Sequence, residues 1–142
     1  MNFIKKLFKS ENPKTGIVYI IEDNAVYGKA LESFIKSSFP ETREVKVFPV
    51  GETCLLELNR NPDFIITDYF LDTKYFDAAT GLDIIKTVRE HNDKMNIIVL
   101  SAQKEIDVVL EAVKTYHCSY IKKDEHAFDR VAEILKEAST HP

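Results

Sequence analysis

The chain has 142 residues, of which 44% are hydrophobic and 30% charged, and a formal net charge of −4. That length suits one domain with a sizeable core, and the composition is ordinary for a globular protein. No apolar run approaches the ~20 residues a membrane-spanning helix needs, and without a clustered basic face there is no case for direct nucleic-acid binding.

Residues 1–15 read as a basic amphipathic extension ahead of a domain over 16–142. Ile4, Leu7 and Phe8 stand at helical spacing between lysines in residues 1–9. Such a segment can rest on an anionic membrane surface, but one short turn binds weakly. Docking on the domain or a partner, or a loose tail, is therefore the favoured reading. The stretch is too interrupted for a signal peptide.

From residue 17 onward, strand-like runs alternate with amphipathic segments, the pattern of βαβ units and a parallel sheet. The first run is 17–21, followed by a helix carrying Tyr27, Ala30, Leu31, Phe34 and Ile35. The second run, 44–48, leads to a shorter helix marked by Leu55, Leu56 and Leu58 and closed by Asn61-Pro62. The third, 63–67, precedes a long connection over 72–79, and Thr80-Gly81-Leu82-Asp83 reads as a capping box opening a helix with Ile84, Ile85 and Val88. The fourth, 96–100, precedes Ile106, Val109, Leu110 and Val113. The fifth, 118–122, precedes Phe128, Val131, Ile134 and Leu135. Cys54 and Cys118 form no ligand pattern and read as free thiols of a reducing cytoplasm. The four histidines show no ligand spacing.

The strand-like runs lead into polar residues: Glu22-Asp23, Asp68, Ser101 and Lys122-Lys123. In a parallel sheet these ends share the edge where open α/β sheets bind ligands. Mg²⁺ takes one or two carboxylates plus phosphate oxygens, so Asp23 and Asp68 suit it, with Glu22 adding charge. Asp68 is the best nucleophile, since a carboxylate can attack phosphorus to form an aspartyl phosphate. A lysine would balance the remaining charge and Ser101 would donate to a phosphoryl oxygen. Taken singly, each residue has a plainer role: Asp23 or Asn24 as a cap, Asp68 as a turn residue, Ser101 as the cap of the fourth helix, either lysine as a surface residue. Their joint placement at strand ends is what argues against those roles.

The order of Ile20-Ile21-Glu22-Asp23-Asn24, the run from Asp63 to Asp68, Gly81-Leu82-Asp83-Ile84-Ile85, Val99-Leu100-Ser101-Ala102 and Tyr120-Ile121-Lys122-Lys123 resembles a receiver domain of a two-component response regulator, from about Gly16 to about Ala138. The resemblance implies a flavodoxin-like, doubly wound five-stranded parallel sheet in order 2-1-3-4-5 with helices on both faces. It implies a cytoplasmic phosphoacceptor in which Asp68 takes a phosphoryl group from a sensor histidine kinase or phosphotransfer protein. Asp23, Asp68 and the backbone carbonyl of Phe70 would hold Mg²⁺, with Glu22 assisting. Ser101 and Tyr120 would be the switch pair, and the face of the fourth helix, fifth strand and fifth helix would act on a downstream protein target, the domain being a monomer or weak homodimer. The aromatic at Tyr120 makes Lys123 the site lysine, Lys122 facing the other way.

The chain departs from the family in Asp124, where proline is usual, in Leu71-Asp72 for a Met-Pro pair, and in the longer loop. Phe70 and Gln103 occupy positions that tune loss of the phosphoryl group. A single-domain switch is expected, since no output segment follows residue 138; a fragment of a larger response regulator is the alternative. A Mg²⁺-dependent phosphohydrolase would want a second acid two residues after Asp68, where Phe70 stands. A docking module indifferent to phosphorylation would not need the acidic pair, hydroxyl and lysine. No glycine-rich loop supports nucleotide binding.

Overall fold

The computed structural model describes residues 16–71, 80–102 and 106–140. The 1–15 extension, the 72–79 loop, Gln103 and His141 lie outside the described residues. The five runs form parallel strands β1 (Ile17–Ile21), β2 (Glu44–Phe48), β3 (Phe64–Asp68), β4 (Asn96–Ser101) and β5 (Ser119–Lys122). They make one sheet in the order β2-β1-β3-β4-β5, as expected. The register aligns Ile20 with Val47 and Ile66, and Ile66 with Ile98.

Every residue of β1 and β3 is buried. That explains runs such as Ile17-Val18-Tyr19-Ile20-Ile21 without polar alternation, because helices cover both faces of the sheet. On one face Ile17, Tyr19, Ile21, Ile65 and Val99 pack against Cys54 of α2 (Gly51–Leu55), Ile84, Ile85 and Val88 of α3 (Gly81–His91), and Val109 and Ala112 of α4 (Ile106–Tyr116). On the other, Val18, Ile20, Phe64, Ile66, Ile98 and Leu100 pack against Leu31 and Ile35 of α1 (Ala25–Ser38) and Ala127, Val131 and Leu135 of α5 (Ala127–Thr140). No helix among the described residues is long and apolar enough to cross a membrane.

Several boundaries differ from the sequence reading. β3 starts at Phe64, one residue later than expected, although Asp63 N–H already donates to Ile17 O (2.8 Å); the Asp63 carboxylate Oδ2 accepts from the backbone N–H groups of Gly16 and Ile17, at 2.8 and 2.9 Å, and so ties the start of β1 to that of β3. The second helix stops at Leu55, and a 3₁₀ turn over Leu58–Arg60 completes the connection. Leu56 is consequently 80% exposed, and Ala30 and Leu110 also face solvent rather than the core. The capping box of α3 is present: the Thr80 hydroxyl accepts from Asp83 N–H while the Asp83 carboxylate accepts from Thr80 N–H.

β5 starts at Ser119 because Cys118 finishes α4. Its N–H donates to Val113 O (3.0 Å), with His117 at a positive φ of 55°, a Schellman-type stop on a non-glycine residue. Arg89 reinforces that stop from α3. Its guanidinium donates to the carbonyls of Tyr116 (2.7 Å) and His117 (3.0 Å), and also to those of Asn92 (3.3 Å) and Met95 (2.7 Å). Four main-chain acceptors at the ends of two helices and the start of β4 thus depend on one side chain. Bonds to a charged donor contribute more than neutral ones, so Arg89→Ala is expected to lose roughly 3 kcal/mol in urea unfolding. A loss below about 0.5 kcal/mol would show that water replaces the clamp.

Candidate functional site

The order 2-1-3 reverses the direction of sheet growth between β1 and β3, which opens a crevice at their carboxyl ends. Glu22 and Asp23 follow β1 directly, and Asp68 is the last residue of β3. Asn24, rather than Asp23, caps α1: its Oδ1 accepts from Tyr27 N–H at 3.0 Å. Asp68 is held in place by its own backbone, since Tyr69 N–H donates to Leu100 O (2.9 Å) and extends the pairing of β3 with β4. Asp68 Oδ1 accepts from Phe70 N–H at 3.0 Å.

The two lysines part company here. Lys123 Nζ donates to Asp68 Oδ2 at 2.8 Å and to Glu22 Oε1. Lys122 lies one position earlier, in register with Ser101. Lys123 N–H donates to Ser101 O (2.8 Å), so the backbone of the lysine is fixed against the end of β4. The Lys123–Asp124 junction departs from a proline turn. Among the described residues no peptide bond is cis, and Asp124 Oδ1 accepts from His126 N–H (2.8 Å) while its carbonyl accepts from Ala127 N–H (3.1 Å). Asp124 thereby organises the entry to α5.

Glu22 is 2% exposed, and burial, with the nearby Asp68 charge adding to it, pushes its carboxyl up to about 7 despite the Lys123 bond. Burial would lower the Lys123 ammonium, but its bonds to Asp68 and Glu22 outweigh that and hold it above the ordinary lysine value. Ser101 is fully buried as the last residue of β4, and its hydroxyl donates to Ala102 O at 3.2 Å. Tyr120 pairs with Val99 on the next strand, half-buried, and its hydroxyl oxygen is buried without a partner among the described residues. Phe70 stands 41% exposed beside the site, its ring edge-on to that of Tyr69 at 4.8 Å.

Glu22, Asp23 and Asp68 each offer a carboxylate oxygen, and these atoms lie within 4.8 Å of one another. Glu22 Oε2 is buried with no hydrogen-bond partner among the described residues. A buried carboxylate oxygen left in that state is costly, and a hard divalent cation is the ligand that satisfies it. The donor set therefore fits Mg²⁺. Two contributors went unread in the sequence. Gly81, noted as part of a cap and of a family motif but with no contact assigned to it, lies so near Tyr69 that a Cβ would stand 2.2 Å from its carbonyl oxygen. Tyr27, noted only as part of a helical stripe, has its ring 4.3 Å from Lys123 Nζ. Neither contact has a signature at short range in the sequence.

The family model for the response regulator receiver domain matches residues 18–136. The chain is 30% identical over 83 residues to the photosynthetic apparatus regulatory protein RegA of Rhodovulum sulfidophilum, a match covering 58% of this chain and 43% of that protein. Its fold is similar to a receiver domain protein from Clostridium thermocellum (TM-score 0.74, 17% identity, 88% and 94% of the two chains covered). It is also similar to the apo receiver domain of nitrogen regulatory protein C (TM-score 0.73, 19% identity, 90% and 97% covered). With the match running through every strand and helix that shapes the crevice, the chain belongs to the response regulator receiver domain family, the signalling domains of two-component systems.

Proposed function

We propose that this receiver is a working phosphoacceptor switch, with Asp68 as acceptor. The observation that carries the reading is the Asp68 Oδ2–Lys123 Nζ bond at 2.8 Å, set beside a cluster of three carboxylates at the carboxyl edge of the sheet. A carboxylate oxygen of Asp68 forms a bond to phosphorus as the P–N bond of a donor phosphohistidine breaks, and the imidazole leaves with a proton from solvent. Asp23, Asp68 and the backbone carbonyl of Phe70, with Glu22 close by, would hold Mg²⁺, which supplies the positive charge that lets an anionic phosphoryl group approach a carboxylate. Lys123 balances the charge that remains.

Ser101 and Tyr120 are the switch pair. The Ser101 hydroxyl, now given to Ala102 O, turns to an oxygen of the arriving phosphoryl group, and Tyr120, whose hydroxyl has no partner among the described residues, follows into the space. A local charge change then biases a two-state element, read by a protein target on the α4–β5–α5 surface. The donor is a sensor histidine kinase or phosphotransfer protein, and the setting is the cytoplasm.

The test is intact mass after incubation with acetyl phosphate and Mg²⁺. One phosphoryl adduct is expected on the wild type, lost with chelator and absent in Asp68→Asn. An adduct persisting in Asp68→Asn would place the acceptor elsewhere and sink the assignment.

A further inference from the structure

We infer that Tyr27 is a positioning residue for the Lys123 ammonium, acting through the face of its ring; the inference rests on the phosphoacceptor reading. An ammonium has three N–H donors. Two of those of Lys123 go to Glu22 Oε1 and Asp68 Oδ2. The Tyr27 ring centroid lies 4.3 Å from the same nitrogen, within the range where the negative face of an aromatic ring attracts a cation. The ring therefore closes the remaining side of the ammonium without offering an acceptor that would draw it away from Asp68.

Both ends of this contact are held independently. Tyr27 sits in the first turn of α1, fixed by its N–H bond to Asn24 Oδ1. Its ring is backed edge-on by Phe128 of α5 at 5.4 Å, and Phe128 packs in turn on Phe34. On the other side, the Lys123 backbone is tied to Ser101 O. The hydroxyl plays no part: it is buried without a partner among the described residues. It is the ring, not the phenol, that the site uses. A plain core role would be served equally by an aliphatic side chain, and the two roles separate on that point.

The experiment compares Tyr27→Phe and Tyr27→Leu in acetyl phosphate uptake, with Tyr27→Met as a second variant lacking the ring should Leu disturb the fold. Lys123 Hε–Cε resonances are followed by NMR. Tyr27→Phe should label within about twofold of wild type, and Tyr27→Leu roughly three- to tenfold more slowly. The Lys123 Hε protons, shielded over the ring in wild type and Tyr27→Phe, should return toward ordinary lysine positions in Tyr27→Leu. Labelling of Tyr27→Leu at the wild-type rate overturns the inference. So does slow labelling with the Lys123 resonances unmoved, which would mark a packing role alone. A wild type that takes no phosphoryl group with Mg²⁺ present fails earlier: it removes the phosphoacceptor reading, and the inference falls with it.

Discussion

Gly81→Ala is expected to cost about 3–5 kcal/mol of stability and to disable the site with it, a size reserved for a few mechanisms. The added Cβ would stand 2.2 Å from Tyr69 O and 2.7 Å from both Tyr69 C and Cα. All three are main-chain atoms, so no side-chain rotation relieves the overlap. Tyr69 follows Asp68 directly, and its N–H is committed to Leu100 O. Relief has to come from moving the start of α3 or from bending the chain that carries Asp68, and the Phe70 N–H bond to Asp68 Oδ1 goes with the second choice. Urea unfolding reads the stability, and the Phe70 amide resonance reads the site. Gly28→Ala is the matched control. Its Cβ meets Val47 Cγ1 at 2.9 Å, the end of a half-buried side chain on the edge strand β2, which can turn aside. The gain of about 1 kcal/mol from replacing a helical glycine opposes that adjustment. A Gly81→Ala protein as stable as Gly28→Ala would show that α3 is free to back away.

Lys123→Met should lose roughly 3 kcal/mol in chelating buffer and take up phosphoryl groups about a hundredfold more slowly. The side chains concerned are largely removed from water: Glu22 is 1%, Asp68 11% and Lys123 22% exposed. Removing the ammonium leaves two neighbouring carboxylates and no cation in contact with them among the described residues. The cost of breaking such a pair is mainly the charge left behind. Mg²⁺ should therefore raise the unfolding midpoint of Lys123→Met by more than it raises that of wild type, since ligand binding to the native state adds to stability. Equal stability of the two proteins in chelator would mean that a proton on Glu22 had already taken over the charge balance.

The strands and the carboxyl edge were legible in the sequence because each depends on a local pattern. An apolar run needs no partner to be seen, and Asp68 at the end of one is visible in five residues. The capping box of α3 is likewise a four-residue statement. What escaped reading depends on pairs far apart in the chain. Asp63 reads as the start of a strand until its carboxylate is found on Gly16 and Ile17. Arg89 drew no reading at all, because its carbonyl partners Tyr116 and His117 lie 27 and 28 residues away. Leu56 and Ala30 were misplaced for a related reason: helical spacing gives candidates for a face, while the extent of the neighbouring layer decides how wide that face is. Between Lys122 and Lys123 alternation gives two answers one residue apart, and the positions of Glu22 and Asp68 show which ammonium reaches the carboxylates.

The Arg89 clamp also sets how α4 can move. The helix is anchored at Tyr116 and His117, whereas its other end follows the segment after Ser101. Eleven residues make a rod of about 16 Å. With that end pinned, a displacement of about 1 Å at Ile106 would be a tilt of roughly 4° over that length, the motion of a lever pivoting at Tyr116. Val108 and Leu110, both exposed, would travel farther in such a tilt than anything near Tyr116. A partner gripping the helix near Ile106 would sense the whole of such a stroke, and one gripping near Tyr116 almost none.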